Sequence, residues 1–323
     1  VRVQITVLSG GVGGARFTRG LLSLVEQRDL DAQVTVVANV GDDMWLHGVR
    51  VCPDLDTLMY TLGGAVHEEQ GWGRRDESRR TSDDLAAYGL GWEWFTLGDL
   101  DLATHLARTE LLRAGQPLSA VTERLAERWR PGARLLPASD QEVETHVETD
   151  LGLIHFEEWW VRHRAGVPAR GFVQVGLDAA TAAPGVVDAI TGADVVLLPP
   201  SNPVVSIGTI LSIPPIGDAL RSTAAPVVGV SPIVGGSPVR GMADACLSAI
   251  GVETDAAAVA RHYGRRAEGG VLDAWLVDTA DEKAVLELRA EGWVCDAANT
   301  LLADVATTAR IAETALRMGG VAV

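Results

Sequence analysis

The chain has 323 residues, 47% hydrophobic and 22% charged, the composition of a globular protein whose core is ample without staples. Its 43 acidic and 27 basic side chains give a formal charge of −16. That argues against a nucleic-acid groove or an anionic membrane surface as partner, and leaves anionic ligands to local devices: helix N-termini, a few arginines and metal ions. Cys52, Cys246 and Cys295 form no C-x-x-C pair and read as reduced core thiols of a cytoplasmic protein. Neither an export signal nor a membrane span is expected. The histidines lack metal-binding spacing, and His155, near Glu157 and Glu158, reads as a partly buried or surface histidine.

In chain order, an apolar run over 3–8 predicts a strand, an amphipathic run over 15–27 a helix, and an apolar run over 33–38 a second strand. Between the first strand and the helix lies Ser9-Gly10-Gly11-Val12-Gly13-Gly14-Ala15-Arg16. A strand that ends in glycines and reopens as a helix aims backbone N–H groups at whatever sits over the helix N-terminus, where the dipole favours an anion. Gly10, Gly11, Gly13 and Gly14 therefore read as a phosphate cradle, with Arg16 a candidate phosphate contact. The alternatives are a tight βα turn without ligand and a surface arginine. Two well-known patterns fail. A dinucleotide fingerprint needs glycine where Arg16 stands, and a Walker A loop needs Gly-Lys-Ser/Thr. The second strand ends at Asn39, a candidate substrate contact, and not at the acidic residue that would hold an adenosine ribose.

Asp42 and Asp43 follow, then an apolar run over 49–52 and Pro53-Asp54-Leu55-Asp56-Thr57, which opens a helix ending at Gly63-Gly64. All four aspartates are expected in loops after strands, on the rim of an open α/β sheet that also carries the glycine turn. Carboxylates this close stay ionised together only if water or a cation compensates them. Hard oxygen ligands without histidine or thiol point to Mg²⁺ at Asp42, Asp43, Asp54 and Asp56. Helix capping is the competing account of Asp54 and Asp56.

From 65 to 170 charged helices dominate, including 101–113 and 119–129, and seven of the nine tryptophans lie between Trp45 and Trp160. This predicts a mainly helical insertion whose aromatics either wall a flat heterocycle or fasten the insertion to the core. The α/β pattern resumes from 171, with strands near 195–198, 227–230, 274–277 and 293–295 and a last helix over 305–318. The predicted architecture is α/β: a Rossmann-like, doubly wound, mostly parallel sheet from 1–64 and 171–323, carrying the insertion. Two strand ends stand out. One gives Ser201 and Asn202, followed by Ser206, Gly208 and Thr209; the other gives Ser231, Pro232 and Ile233. Each offers hydroxyls and turn amides without side-chain charge, as a clamp for a diphosphate or nucleotide would. Prolines also end strands in proteins that bind nothing.

Several of these segments occur together in one order. They are Leu8-Ser9-Gly10-Gly11-Val12-Gly13-Gly14, Pro53-Asp54-Leu55-Asp56-Thr57, Leu97-Gly98-Asp99 with Ala103-Thr104-His105, Pro200-Ser201-Asn202-Pro203 with Ser206-Ile207-Gly208, and Val230-Ser231-Pro232-Ile233. Over nearly the whole chain this resembles the 2-phospho-L-lactate transferases of coenzyme F420 biosynthesis. Gly13-Gly14-Ala15-Arg16-Phe17 is most similar to the actinobacterial branch, whose donor is an enolpyruvyl form derived from phosphoenolpyruvate. The resemblance implies a transferase joining the deazaflavin Fo to a phosphate ester. The ribityl hydroxyl of Fo attacks the distal phosphorus of a guanosine diphosphate adduct of lactate or enolpyruvate, and GMP leaves. It implies a homodimer, places Fo and the metal near Asp54 and Asp56, and sets Thr96 at the deazaflavin. Asp54 or Asp56 then accepts the hydroxyl proton or holds the metal that acidifies it. Two other readings compete: an NAD(P)- or nucleotide-sugar-dependent oxidoreductase, opposed by Arg16 and Asn39, and a deazaflavin carrier, which needs no acidic cluster beside a phosphate loop.

Overall fold

A computed structural model describes residues 2–91 and 94–323; Trp92, one of the insertion's tryptophans, lies outside them. The chain opens with β1 (Val3–Ser9), α1 (Val12–Gln27) and β2 (Ala32–Ala38). An antiparallel hairpin of β3 (Met44–Leu46) and β4 (Val49–Val51) leads into α2 (Pro53–Leu62). Pro53 begins that helix, where its missing N–H costs nothing. Then come α3 (Arg80–Ala87), α4 (Asp99–Arg113), α5 (Leu118–Trp129) and β5 (Arg134–Pro137). A separate antiparallel sheet follows, made of β6 (Glu144–Thr149), β7 (Gly152–His155) and β8 (Gly171–Val175). The second half contains α6 (Val186–Thr191), β9 (Val195–Leu198), α7 (Ile207–Ser212), α8 (Ile216–Ser222) and β10 (Val227–Val230). After the small hairpin of β11 (Ile233–Val234) and β12 (Ser237–Pro238) come α9 (Ala243–Ala249), α10 (Ala256–Tyr263), β13 (Ala274–Asp278), α11 (Glu282–Ala290), β14 (Val294–Ala298) and α12 (Val305–Met318).

The main sheet has seven strands in the order β14-β13-β10-β9-β1-β2-β5, and every pairing is parallel. Parallel sheets need cover on both faces, and β9 and β10 are buried at every position. On one face Thr6 Oγ1 donates to the carbonyl of Ala189 in α6 at 2.6 Å. On the other, Gly319 after α12 lies against Val195 and Val228. Beneath that face α1 packs on α12 through Gly20, where a Cβ would come within 2.4 Å of Thr308 Cγ2. Strand order turns at β1: the next strand lies on one side of it and β9 on the other. In such sheets the crevice for ligands opens at this switch point, beyond the carboxyl ends of the strands.

In the stretch 65–170, expected as a mainly helical insertion, α3, α4 and α5 outweigh the strands, but it also builds sheet. It supplies β5, the edge strand beside β2, together with β6 and β7. Arg134-Leu135-Leu136-Pro137 is too short for period-2 alternation to declare itself after a charged helix. Residues 171–175, expected to reopen the α/β half, pair antiparallel with β6 instead. Among the described residues no helix is long and apolar enough to cross a membrane.

Candidate active site

The glycine turn sits at the switch point. Helix α1 begins at Val12, so Gly13 and Gly14 lie in its first turn and not in the loop before it. Absent side chains let three segments meet there. A Cβ on Gly10 would lie 2.6 Å from Ser206 Oγ, and one on Gly13 would lie 2.3 Å from the Pro200 carbonyl. A Cβ on Gly11 would lie 2.4 Å from Asp54 Oδ1. The Gly10 N–H also donates to Ser201 Oγ at 3.2 Å, so the loop after β9 is bonded directly to the turn after β1.

Within that second loop Asn202 Oδ1 accepts from the amides of Val204 (2.9 Å) and Val205 (3.2 Å), which shapes the approach to α7. Gly208 and Thr209 lie in α7, and Thr209 Oγ1 meets Thr145 Oγ1 of β6 at 3.3 Å. Ser231, Pro232 and Ile233 follow β10 at the same sheet edge. There the Ser231 hydroxyl is spent within its own turn, donating to the Ile233 carbonyl (2.9 Å) and accepting its amide (3.1 Å). Arg16 Nη2 donates to the Glu68 carbonyl at 3.1 Å. Thr96 lies outside this group of contacts, with its hydroxyl accepting from Arg79 at 3.0 Å.

Asn39, fully buried at the end of β2, holds the first carboxylate. Its Nδ2 donates to Asp54 Oδ2 at 3.0 Å, and its Oδ1 accepts the Gly41 amide at 3.0 Å. Asp42 and Asp43 lie buried in the next turn, where among the described residues Asp42 Oδ1 and both carboxylate oxygens of Asp43 have no hydrogen-bond partner. Arg50 lies 3.8 Å from Asp43, and the Arg108 charge also reaches it. A fifth acid joins the sequence candidates: Glu157, just after β7, is buried; its charge acts on Asp42, and the Asp54 charge acts on it. His155, passed over as a ligand, serves it indirectly by accepting the Glu157 amide at Nδ1 (3.1 Å). Burial pushes that imidazole down to about 4, so it stays neutral.

Burial dominates the electrostatics of the cluster. It pushes Asp54 up to about 7, against the Asn39 hydrogen bond and with help from Asp43. It pushes Asp43 to about 7 despite Arg50, and Glu157 to about 8, where the Asp54 charge adds to the effect. Asp42 is raised well above the usual range by burial, then by Asp54 and Glu157. Buried polar oxygens are nearly always partnered. Orphaned oxygens on an all-carboxylate set fit a hard divalent cation such as Mg²⁺.

A linkage follows. A carboxyl whose folded pKa is raised contributes stability that is fully present below its unfolded pKa, about 4, and is lost as pH rises through the folded value. Metal-free protein is therefore expected to melt at progressively lower temperature as pH rises from about 5 through 7 and 8. The rise in melting temperature on adding Mg²⁺ should be larger at the alkaline end. Calorimetry across pH, with and without chelator, measures both.

Asp56 is engaged by α4, although its charge also reaches Asp43. It stands two residues beyond Asp54 in the first turn of α2, roughly 200° around the helix axis. Its carboxylate meets α4, where Arg108 Nη1 donates to Oδ2 at 3.1 Å and Nη2 donates to Oδ1. His105 Nδ1 lies 3.6 Å from Asp56, and Asp101 accepts from Tyr60 OH. Asp56, Asp101 and His105 place one ligand atom each within 4.8 Å of one another. The fork of Arg108 already supplies the cation there. Burial works against the Arg108 charge, and Asp56 together with Cys52 and Tyr60 more than restores it.

The tryptophans mostly fasten elements together. Trp129 packs edge-on against Tyr60 and carries Arg74 and Arg128 on its ring. Phe156, beside Glu157, stacks on Trp160, which meets Trp72 at 6.5 Å.

Gly11→Ala tests the join between the glycine turn and the carboxylates. Its methyl would displace Asp54, and turnover is expected to fall about a hundredfold with an unchanged circular dichroism spectrum.

Fold and site together define a Rossmann-like α/β enzyme in which a glycine turn opening a helix faces buried carboxylates across a parallel-sheet switch point. The model of the family described as 2-phospho-L-lactate transferase CofD matches residues 5–314, and the chain belongs to that family. It is 56% identical over 320 residues to the phosphoenolpyruvate transferase of Streptomyces coelicolor and 58% identical over 320 residues to that of Streptomyces griseus, with 98% of each chain covered in both comparisons. It is 54% identical over 330 residues to the phosphoenolpyruvate transferase of Mycolicibacterium smegmatis, with 99% of each chain covered. A crystal structure of a UPF0052-family protein from Bacillus halodurans shares the fold, with a TM-score of 0.64 at 18% identity over 98% of this chain and 99% of that one.

Proposed function

We propose that the chain transfers a phosphoenolpyruvyl group from its guanosine diphosphate adduct to the deazaflavin Fo, releasing GMP in the biosynthesis of coenzyme F420. The lactyl donor is the variant reading. Relatives named phosphoenolpyruvate transferase at 54–58% identity support the enolpyruvyl choice. One observation carries the site assignment: Asp54, held by Asn39, lies against Gly11.

Phosphoryl transfer asks chiefly for positioning and for neutralisation of developing charge. The amides of the glycine turn at the start of α1 receive phosphate oxygens, with Ser201 and Ser206 fixing the turn from the other side of the crevice. Asp42, Asp43, Asp54 and Glu157 are the residues that would hold Mg²⁺, which when bound offsets phosphate charge and orients the donor. The Fo hydroxyl oxygen bonds to the distal phosphorus, and the bond from that phosphorus to the GMP oxygen breaks with its electron pair leaving on GMP. The hydroxyl proton passes to a carboxylate of the cluster, of which Asp54 faces the glycine turn.

The test is mass spectrometry of the product made from Fo with each donor in parallel, alongside GMP release. The expected outcome is a product two hydrogens lighter from the preferred enolpyruvyl donor, and GMP release that stops on exhaustive chelation. No GMP from either donor would sink the reading; turnover that survives chelation would remove the metal. The same reading makes the enzyme a cytoplasmic homodimer, which sizing in solution checks.

A further inference from the structure

Beside the glycine turn, two arginines converge on the turn 67–73. This turn is closed by Gly71 N–H to the His67 carbonyl (2.7 Å) and His67 N–H to the Gly73 carbonyl (3.1 Å). Arg16, on α1, donates to the Glu68 carbonyl at 3.1 Å. Arg240, beyond β12, donates to the Gln70 carbonyl and lays its guanidinium over the Trp72 ring at 5.2 Å. Gly71 marks how near this comes to the cradle: a Cβ there would lie 2.9 Å from both Arg240 Nη1 and Val12 Cγ1, and Val12 is the first residue of α1.

The charge arrangement is unusual for this molecule. Acids outnumber bases 43 to 27, yet among the described residues neither Arg16 nor Arg240 makes an ion pair. Their neighbour Arg19, one helical turn along α1, forks onto the Glu68 carboxylate at 2.6 and 3.2 Å. A guanidinium has five N–H donors, and the bonds named leave most of those on Arg16 and Arg240 unspent. The like charge of Arg16 reaches Arg240: after burial, it is the cause that lowers Arg240 from its ordinary value. Two neighbouring cations fixed by neutral carbonyls stand at the edge of an anion cradle, and Glu68, the carboxylate that the Arg16 charge reaches, is already forked by Arg19.

We propose that Arg16 and Arg240 form an oxyanion subsite at the mouth of the glycine turn that takes an anionic end of the donor. That end is either the terminal phosphate or the carboxylate attached to it. The planar fork of arginine matches both groups. The identity of the donor rests on the function proposed above; the demand for an oxyanion does not. Arg16 is thereby given a defined partner in Arg240, some 220 residues away in sequence.

Calorimetry of the intact protein in Mg²⁺ tests this with two pairs of probes. GDP against GMP reads the terminal phosphate; phosphoenolpyruvate against inorganic phosphate reads the carboxylate. In one pair, Arg16→Gln and Arg240→Gln are each expected to weaken the larger probe about tenfold while leaving the smaller one unchanged, and the pair affected names the occupant. Arg19→Gln, which loosens the same turn without touching the subsite, is expected to change neither ratio. Unchanged ratios in the Arg16 and Arg240 variants, or an equal loss in Arg19→Gln, would overturn the proposal. A wild-type protein that discriminates in this way yet turns over neither donor with Fo would sink the transferase reading and leave the subsite standing.

Discussion

Asp54→Asn is expected to lower turnover by about 10²- to 10⁴-fold and to leave the metal-free protein at least as stable as its parent. The two halves have one cause. Asp54 is a buried carboxylate whose single side-chain hydrogen-bond donor among the described residues is Asn39, and Asp42, Asp43 and Glu157 share its surroundings. An amide keeps the shape and can still turn its oxygen to the Asn39 N–H. It also removes one charge from a group that burial and mutual repulsion already push toward the neutral form. The structural cost is therefore small or negative, whereas the anionic oxygen that faces Gly11 is gone. Steady-state kinetics, with melting curves in chelator and in Mg²⁺, separate the effects. The variant should lose both turnover and most of the Mg²⁺-induced rise in melting temperature. Near-parental turnover would take Asp54 out of the mechanism, and an undiminished Mg²⁺ response would take it out of the metal site.

Elements made of local signals were readable before any coordinates. The strand-glycines-helix-strand opening and the last helix at Val305–Met318 are of this kind, since apolar periodicity and turn residues declare them within a few positions. Non-local pairings were not readable. β5 is four residues long and earns its place only by pairing with β2, about a hundred residues earlier. Glu157 reaches the cluster only because β6 and β7 form a sheet that carries it there, and nothing near it in sequence points to Asp54. Asp56 is a different case. Pro53 marks the helix start, and 100° per residue already separates positions 54 and 56. Sequence proximity suggested a shared ligand where helical geometry opposes one. The Arg16–Arg240 juxtaposition depends on how a hairpin after β10 folds back over α1, which no periodicity encodes.

The second large effect concerns that divergent aspartate. Asp56→Asn is expected to destabilise the protein by about 3–5 kcal/mol, because it leaves the Arg108 charge buried and uncompensated. Arg108 is 1% exposed and bonds inward, to Asp56, to the Arg50 carbonyl at 3.3 Å and to His105 Nδ1 at 3.3 Å. Next to it, Thr109 Oγ1 accepts the Arg50 amide at 2.8 Å, so the same turn of α4 holds both β4 and the start of α2. Replacing the pair together, Asp56→Leu with Arg108→Met, removes both desolvation costs and should recover most of the loss, since apolar replacements of buried ion pairs are often neutral or better. Denaturant melts of the two single variants and the double variant form the cycle that isolates the coupling. The same proteins decide what Asp56 does for the metal. If it acts by fastening α4 to α2, the double variant keeps a Mg²⁺-induced rise in melting temperature. If Asp56 is itself a ligand, that rise disappears even in the restabilised double variant, and the carboxylate cluster at Asp42, Asp43, Asp54 and Glu157 is incomplete as drawn.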